Sequence, residues 1–187
     1  TTERLLEEAA ATPPVADCLV FLPYLAGERS PLWDPQARGV FAGLTLGHGR
    51  GHLARSIIEA SALAIRHVAT PMLEAGVRVT AMRACGGPAR SEVWNQVKAD
   101  VTGFRVLVPH VLETAVLGSA ILGAVGVGAA PDIETAIRSM TGIEREIEPR
   151  PEHAATYERL FEAYVALYPA TRPVLRQLTG PGGGGAA

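Results

Sequence analysis

Residues 83–96 read R-A-C-G-G-P-A-R-S-E-V-W-N-Q, a strand end, a two-glycine turn and the start of a helix. Val77 to Ala84 before the turn has strand character. After it, from about Ala89 to Thr102, Val93, Trp94, Val97 and Val101 share one helical face, and Gly103 supplies the stop. Gly86 and Gly87 leave the backbone bare where strand passes into helix, so a ligand can approach the main chain closely. The helix start directs unpaired N–H groups and a partial positive charge to the same place. Pro88 suits a first helical turn, and Ser91 offers a hydroxyl to a base, a ribose or the backbone. A plain tight turn, whose glycines only permit the bend, fits the same letters.

Outward from that turn, strand and helix signals alternate. Thr1 to Thr12 reads as a helix with Leu5, Leu6 and Ala9 on one side and Pro13-Pro14 ending it. Cys18 to Leu25 is a short apolar run with the character of a buried strand. Ala26 to Gly51 reads as a long polar loop, which within a compact domain is functional or lies on an interface. His52 to Thr70 is helical in spacing, with Pro71 expected to kink or end it and Gly76 marking its far limit. Phe104 to Val108 reads as a strand, Ala115 to Val125 as a helix rich in small residues, and Ile133 to Met140 as a short helix. Residues 151–178 are mainly helical in pattern, with Pro169 and Pro173 as interruptions, and the Gly-rich residues 179–187 are expected to be a disordered tail. The alternation argues for an α/β domain over residues 1–178. About three strands are visible where a sheet usually has roughly four to six, so the sheet reads as part of something larger.

The bulk numbers narrow the function classes. The 187 residues are 48% apolar and 19% charged, which suits one globular domain. Aromatic residues make up 5%, so the core is expected to rely on Ala, Val, Leu and Ile. The formal charge of −2 gives no electrostatic ground for nucleic acid or an anionic membrane as partner. The apolar stretch 115–127 is broken by glycines and shorter than the roughly 20 residues that span a bilayer. Cys18 and Cys85 lie far apart without CxxC spacing, and no leader pattern opens the sequence; both features suit a cytoplasmic protein.

Other side chains offer less. No GxxxxGK[ST] phosphate loop is present, and Gly123, Gly126 and Gly128 follow a helix in the wrong order for GxGxxG. Glu28, Arg29, Asp34 and Arg38 are placed to contact a phosphate or sugar, or to form ion pairs that fix their loop; Asp34 before Pro35 is a turn initiator. His48 and His52 share a helix edge without a carboxylate or cysteine to complete a metal site, and read as a hydrogen-bonded helix start. Asp100, a lone acid between Ala99 and Val101, reads as a structural acceptor. No catalytic residue and no metal ligand is assigned within the chain.

As a set, several motifs resemble the FGGY carbohydrate kinases. They are Phe21-Leu22-Pro23-Tyr24-Leu25 with Gly27-Glu28-Arg29-Ser30-Pro31, Trp33-Asp34-Pro35 with Ala37-Arg38-Gly39, and Gly43-Leu44-Thr45. His52-Leu53 with Arg55, Gly86-Gly87 with Ala89-Arg90-Ser91, Trp94 and Gln96, Ala99-Asp100-Val101, and Glu113-Thr114-Ala115 follow in the same order. The resemblance implies the ribonuclease-H-like, actin-like C-terminal domain of a sugar kinase, truncated at its N-terminal strands. It also implies that ATP lies in a cleft against this domain, its adenosine end on Gly86, Gly87 and Ser91. The sugar, the catalytic aspartate and the magnesium ligands are implied to belong to an N-terminal domain, so that this chain alone is inactive. The Pro-Tyr-Leu and Gly-Glu-Arg-Ser-Pro segments resemble pentulose kinases and point to a ketopentose such as xylulose. Cys85 stands where many relatives have a third glycine, and Pro88 where they have a small residue bearing an N–H; either change would weaken ATP binding. A non-catalytic nucleotide-binding module derived from such a kinase is the alternative. An apolar edge left by truncation would favour self-association, for instance as a homodimer.

Overall fold

The structure, a computed structural model, describes residues 1–179. The elements in chain order are α1 (Thr2–Ala11), β1 (Val20–Leu22), β2 (Val40–Ala42), α2 (Arg50–Glu74), β3 (Ala81–Arg83), α3 (Glu92–Thr102), β4 (Arg105–Pro109), α4 (Thr114–Gly126), α5 (Ile133–Met140), β5 (Ile143–Ile147) and α6 (Ala154–Thr179). The expected Gly-rich tail lies, from Gly180 onward, outside the described residues.

A stripe of α2 that includes Ile58, Ala62 and Leu63 is buried and meets α1, α3, α6 and β1. Leu22, Tyr24, Val97, Val101, Tyr157, Leu160, Tyr164 and Tyr168 complete this main core. Burial of a side chain such as Leu22 or Leu63 stabilises by about 1.5–3 kcal/mol. All four tyrosines of the chain are in the core, against the expectation of an aliphatic interior. Tyr157, Tyr164 and Tyr168 recur on one face of α6, where helical spacing keeps them together. Tyr157 keeps its hydroxyl partnered by donating to Glu59 Oε1 at 2.9 Å.

Two small sheets, β1-β2 and β3-β4-β5, replace the single short sheet expected. Strand β3 runs parallel to β4, and β5 is antiparallel on the other side of β4. Ala84, Ala89, Ala99, Val106 and Val108 form a second apolar cluster between this sheet and α3. Two strands escaped the sequence reading. Strand β2 sits inside the stretch whose letters read as a loop and is only three residues long, too short to show an alternation. Strand β5 does alternate, with Ile143, Arg145 and Ile147 half-buried and Glu144 and Glu146 exposed, but its Glu-Arg-Glu centre reads as a solvated surface.

The prolines also depart from expectation. Helix α2 continues past Pro71 for one more turn, and α6 passes through both Pro169 and Pro173. All three lie on exposed faces. In α6 the Thr171 hydroxyl, between the two prolines, donates to the Leu167 carbonyl at 2.8 Å. The end of α2 is closed by Ala75 N–H donating to Pro71 O at 3.0 Å, with Gly76 just beyond.

Between α1 and β1 the chain makes a left-handed turn, with positive φ at Val15, Ala16, Asp17 and Cys18. Such backbone persists only where its surroundings over-determine it. Glu59 Oε1 accepts from Val15 N–H at 2.8 Å, His48 Nε2 meets the Asp17 carbonyl at 3.1 Å, and His52 Nε2 meets Asp17 Oδ2 at 3.1 Å. The other ring nitrogens, Nδ1 of His48 and of His52, accept from Thr45 and Gly49 N–H as α2 begins, so both histidines serve the helix start. Gly43 must lack a side chain here, because its φ is +89° and a Cβ would stand 2.5 Å from the Cys18 carbonyl oxygen.

Candidate functional site

Strands β3 and β4 are parallel, so their carboxyl ends open on the same side, where open α/β sheets hold ligands. At that end β3 runs into Cys85-Gly86-Gly87-Pro88. Gly86 has φ +71°, which a residue with a side chain rarely adopts, and its N–H donates to Leu112 O at 2.9 Å. A short 3-10 turn over Gly87–Arg90 follows, closed by Ala89 N–H to Gly86 O at 3.1 Å and Ser91 N–H to Pro88 O at 3.1 Å. Helix α3 therefore starts at Glu92 rather than Ala89, and Pro88 sits in the 3-10 turn, where its missing N–H leaves no unmet partner.

Of the residues singled out in the sequence, Gly86, Gly87 and Ser91 are brought together in this turn. A Cβ built on Gly86 or Gly87 meets no atom within 4 Å, so the turn faces open space. Ser91 is the N-cap of α3, its Oγ accepting from Trp94 N–H at 3.4 Å, while its own O–H stays available to donate. Beside the turn is a cavity of about 250 Å³ whose lining includes Arg83, Cys85, Pro109, Val111 and Thr114. A larger cavity, about 610 Å³, lies along α3 and is lined by Arg55, Gln96, Arg145, Arg150 and His153. Its guanidiniums are already engaged, by Glu59, Glu92 and Asp100. The smaller cavity meets the turn through Cys85, the residue before Gly86, and its lining carries one guanidinium, Arg83.

The charged loop residues lie elsewhere. Asp34, nearly buried, receives the Tyr168 hydroxyl at 2.5 Å and ion pairs from Arg172 and Arg176 at 3.4 and 3.2 Å. The Tyr168 hydrogen bond is the main reason its carboxyl is held below the usual range, and in return the Tyr168 phenol is pushed up to about 12, chiefly by burial. Glu28 Oε1 accepts from Arg29 and Ser30 N–H, and Arg38 donates to the carbonyls of Pro35 and Ala37. These contacts fix the loop; Arg29 is exposed. Asp100 accepts from Arg150, His153 and Gln96, as a structural anchor does. Sequence reasoning missed Asn95, which reaches back from α3 to the Ala89 carbonyl at 2.7 Å, and Leu112, whose carbonyl holds Gly86. Neither contact follows a spacing that periodicity reveals.

Among the described residues no group of three or more His, Cys, Asp or Glu side chains is placed to hold a metal ion. No helix among them is long and apolar enough to cross a membrane.

Comparison with known proteins bears on the fold and the family. Residues 1–127 match the family model described as the FGGY family of carbohydrate kinases, C-terminal domain. The chain is 37% identical over 155 residues to a gluconokinase of Bacillus licheniformis, covering 82% of the chain and 30% of the relative. It is 32% identical over 176 residues to a xylulose kinase of Staphylococcus epidermidis, covering 94% and 36%. The solved ligand-bound xylulose kinase from Lactobacillus acidophilus superposes with a TM-score of 0.80 at 29% identity, over 92% of this chain and 35% of that one. The chain thus spans about a third of the length of the relatives it matches. With its α/β fold shared across that third, the chain belongs to the FGGY family of carbohydrate kinases and corresponds to their C-terminal domain.

Proposed function

We propose that the chain is the nucleotide-holding part of an ATP-dependent carbohydrate kinase, with the adenosine end of ATP against Gly86, Gly87 and Ser91. The observation that carries this reading is the two-glycine turn at the carboxyl ends of β3 and β4, open to solvent on its bare side. Purine and ribose stack closely on a backbone that lacks side chains, and the Ser91 O–H and the start of α3 supply donors. Cys85 and Pro88 leave this face passable: Cys85 is exposed on the cavity wall, and Pro88 occupies a position where no N–H is required.

Phosphoryl transfer depends on positioning and charge stabilisation rather than on covalent chemistry by the protein. The described residues offer a surface for the nucleotide but no assigned base, so the reading places sugar, base and magnesium with a second domain and leaves this chain inactive alone. A ketopentose such as xylulose is the proposed acceptor, supported by the Pro23-Tyr24-Leu25 and Gly27–Pro31 segments and by the xylulose kinases among its relatives. The domain is proposed to continue to residue 178, because α6 fills the main core. A cytoplasmic setting suits its two free cysteines. The experiment is complementation: the chain mixed with the sugar-binding domain of a related kinase, assayed for ATP- and magnesium-dependent phosphorylation of xylulose. Turnover above either part alone is expected; none with any ketose or polyol tried, although both parts fold, contradicts the kinase reading and leaves a non-catalytic nucleotide-binding module.

A further inference from the structure

We infer that Asn95 is a positioning residue that sets the shape of the Gly86–Ser91 turn for the nucleotide, an inference that rests on the reading above. Asn95 is fully buried. Its Nδ2 donates to the Ala89 carbonyl at 2.7 Å, six residues back, while its Oδ1 has no partner among the described residues. Asparagine is a poor residue for a helix interior, and burying an amide with half its capacity unmet is unfavourable. What the amide does hold is the carbonyl of Ala89, itself fully buried, whose N–H closes the 3-10 turn on Gly86.

The ties around this contact run in one direction. Trp94 Nε1 donates to Ser61 Oγ at 2.8 Å and so pins the first turn of α3 to α2. Asn95, the next residue, carries that anchorage to Ala89, and Gly86 N–H is held at the other end by Leu112. Asn95 is the one side chain from outside the turn that hydrogen-bonds to its backbone among the described residues. It touches no ligand surface itself. It acts by keeping the bare backbone of Gly86 and Gly87 turned toward the open side.

The test is calorimetric ADP binding to the chain, with Asn95→Asp and Asn95→Leu. At pH 8 the aspartate variant has the same shape but offers a carboxylate to a carbonyl, and is expected to bind ADP roughly ten-fold more weakly than the parent. As pH is lowered to 5.5 the buried carboxyl protonates and regains a donor, so the ratio to the parent at the same pH should close toward one. Asn95→Leu should stay weak at both. Variants that bind within two-fold of the parent at pH 8, while the parent binds, overturn the role of Asn95 alone; a parent that does not bind ADP overturns the nucleotide reading with it. If the variants do not fold, the Asn95 side-chain amide signals of the parent, followed by NMR, decide instead. They should shift on ADP addition, and unmoved signals alongside moving Gly86 and Gly87 amides overturn the inference.

Discussion

The Asp100 carboxylate has no exposed side-chain surface and is ringed by donors: Arg150 through its backbone N–H at 2.9 Å and its guanidinium at 2.7 and 3.0 Å, His153 Nδ1 at 2.9 Å, and Gln96 at 2.9 Å. Burial alone would raise its pKa, but the hydrogen bonds from Arg150, His153 and Gln96 outweigh it and hold the carboxyl below its ordinary value. A lowered folded-state pKa contributes stability above the unfolded value of about 3.9 and loses it as pH falls through the folded value. Asp100→Asn should therefore lose about 2 kcal/mol at pH 7, less than a fully buried pair because Arg150 is partly exposed. It should also show a shallower decline in stability below about pH 4 than the parent. Denaturant titrations at pH 7 and pH 3 check both; an unchanged midpoint at pH 7 contradicts the anchoring role. At this scale the sequence was readable where a residue's conformational freedom matters. Gly86 and Gly103 both have φ +71°, one in the turn after β3 and one stopping α3. It was silent where a side chain folds back over its own chain, as Asn95 does, because such a contact leaves no periodic trace.

Among the elements, the long periodic helices were legible in outline and the short strands were not. α5 has the bounds its spacing predicts, and α4 lies within a residue of them at each end. β2 and β5 depend on partners distant in sequence, with β5 paired to β4 across α4 and α5, and their letters alone do not reveal the pairing. The prolines of α2 and α6 misled in the opposite sense: all three sit at exposed positions, and the helix carries on past the missing donor. Helix α4 poses its own question. It carries no charge, only Ile121 of its 13 residues is buried, and Val116 and Leu122 are 68% and 62% exposed. A helix apolar all round is normally covered, and among the described residues β3 is paired on one side only. This supports the proposal that the chain works against another folded unit, in isolation a second copy. Light scattering should show a mass that rises with concentration and returns to the monomer value in Val116→Glu with Leu122→Glu. A parent that stays monomeric throughout contradicts this.

For the molecule as a whole, the family was legible because its motifs are local and ordered along the chain, while the division of labour among them required coordinates. The Trp33-Asp34-Pro35 and Ala37-Arg38 motif turned out to tie its loop to α6 through Asp34, Arg172 and Arg176, whereas Gly86-Gly87 faces outward beside a cavity. Gly87 does not occupy the left-handed region, and a Cβ there meets nothing within 4 Å beyond its chain neighbours, so there is room for a side chain at this position. The most direct measurement is ADP binding by calorimetry to the parent chain and to Gly87→Trp, with thermal melts of both. Binding by the parent, lost at least ten-fold in a variant that melts at the same temperature, is the predicted result; equal affinity in the two proteins would place the nucleotide elsewhere and contradict the account.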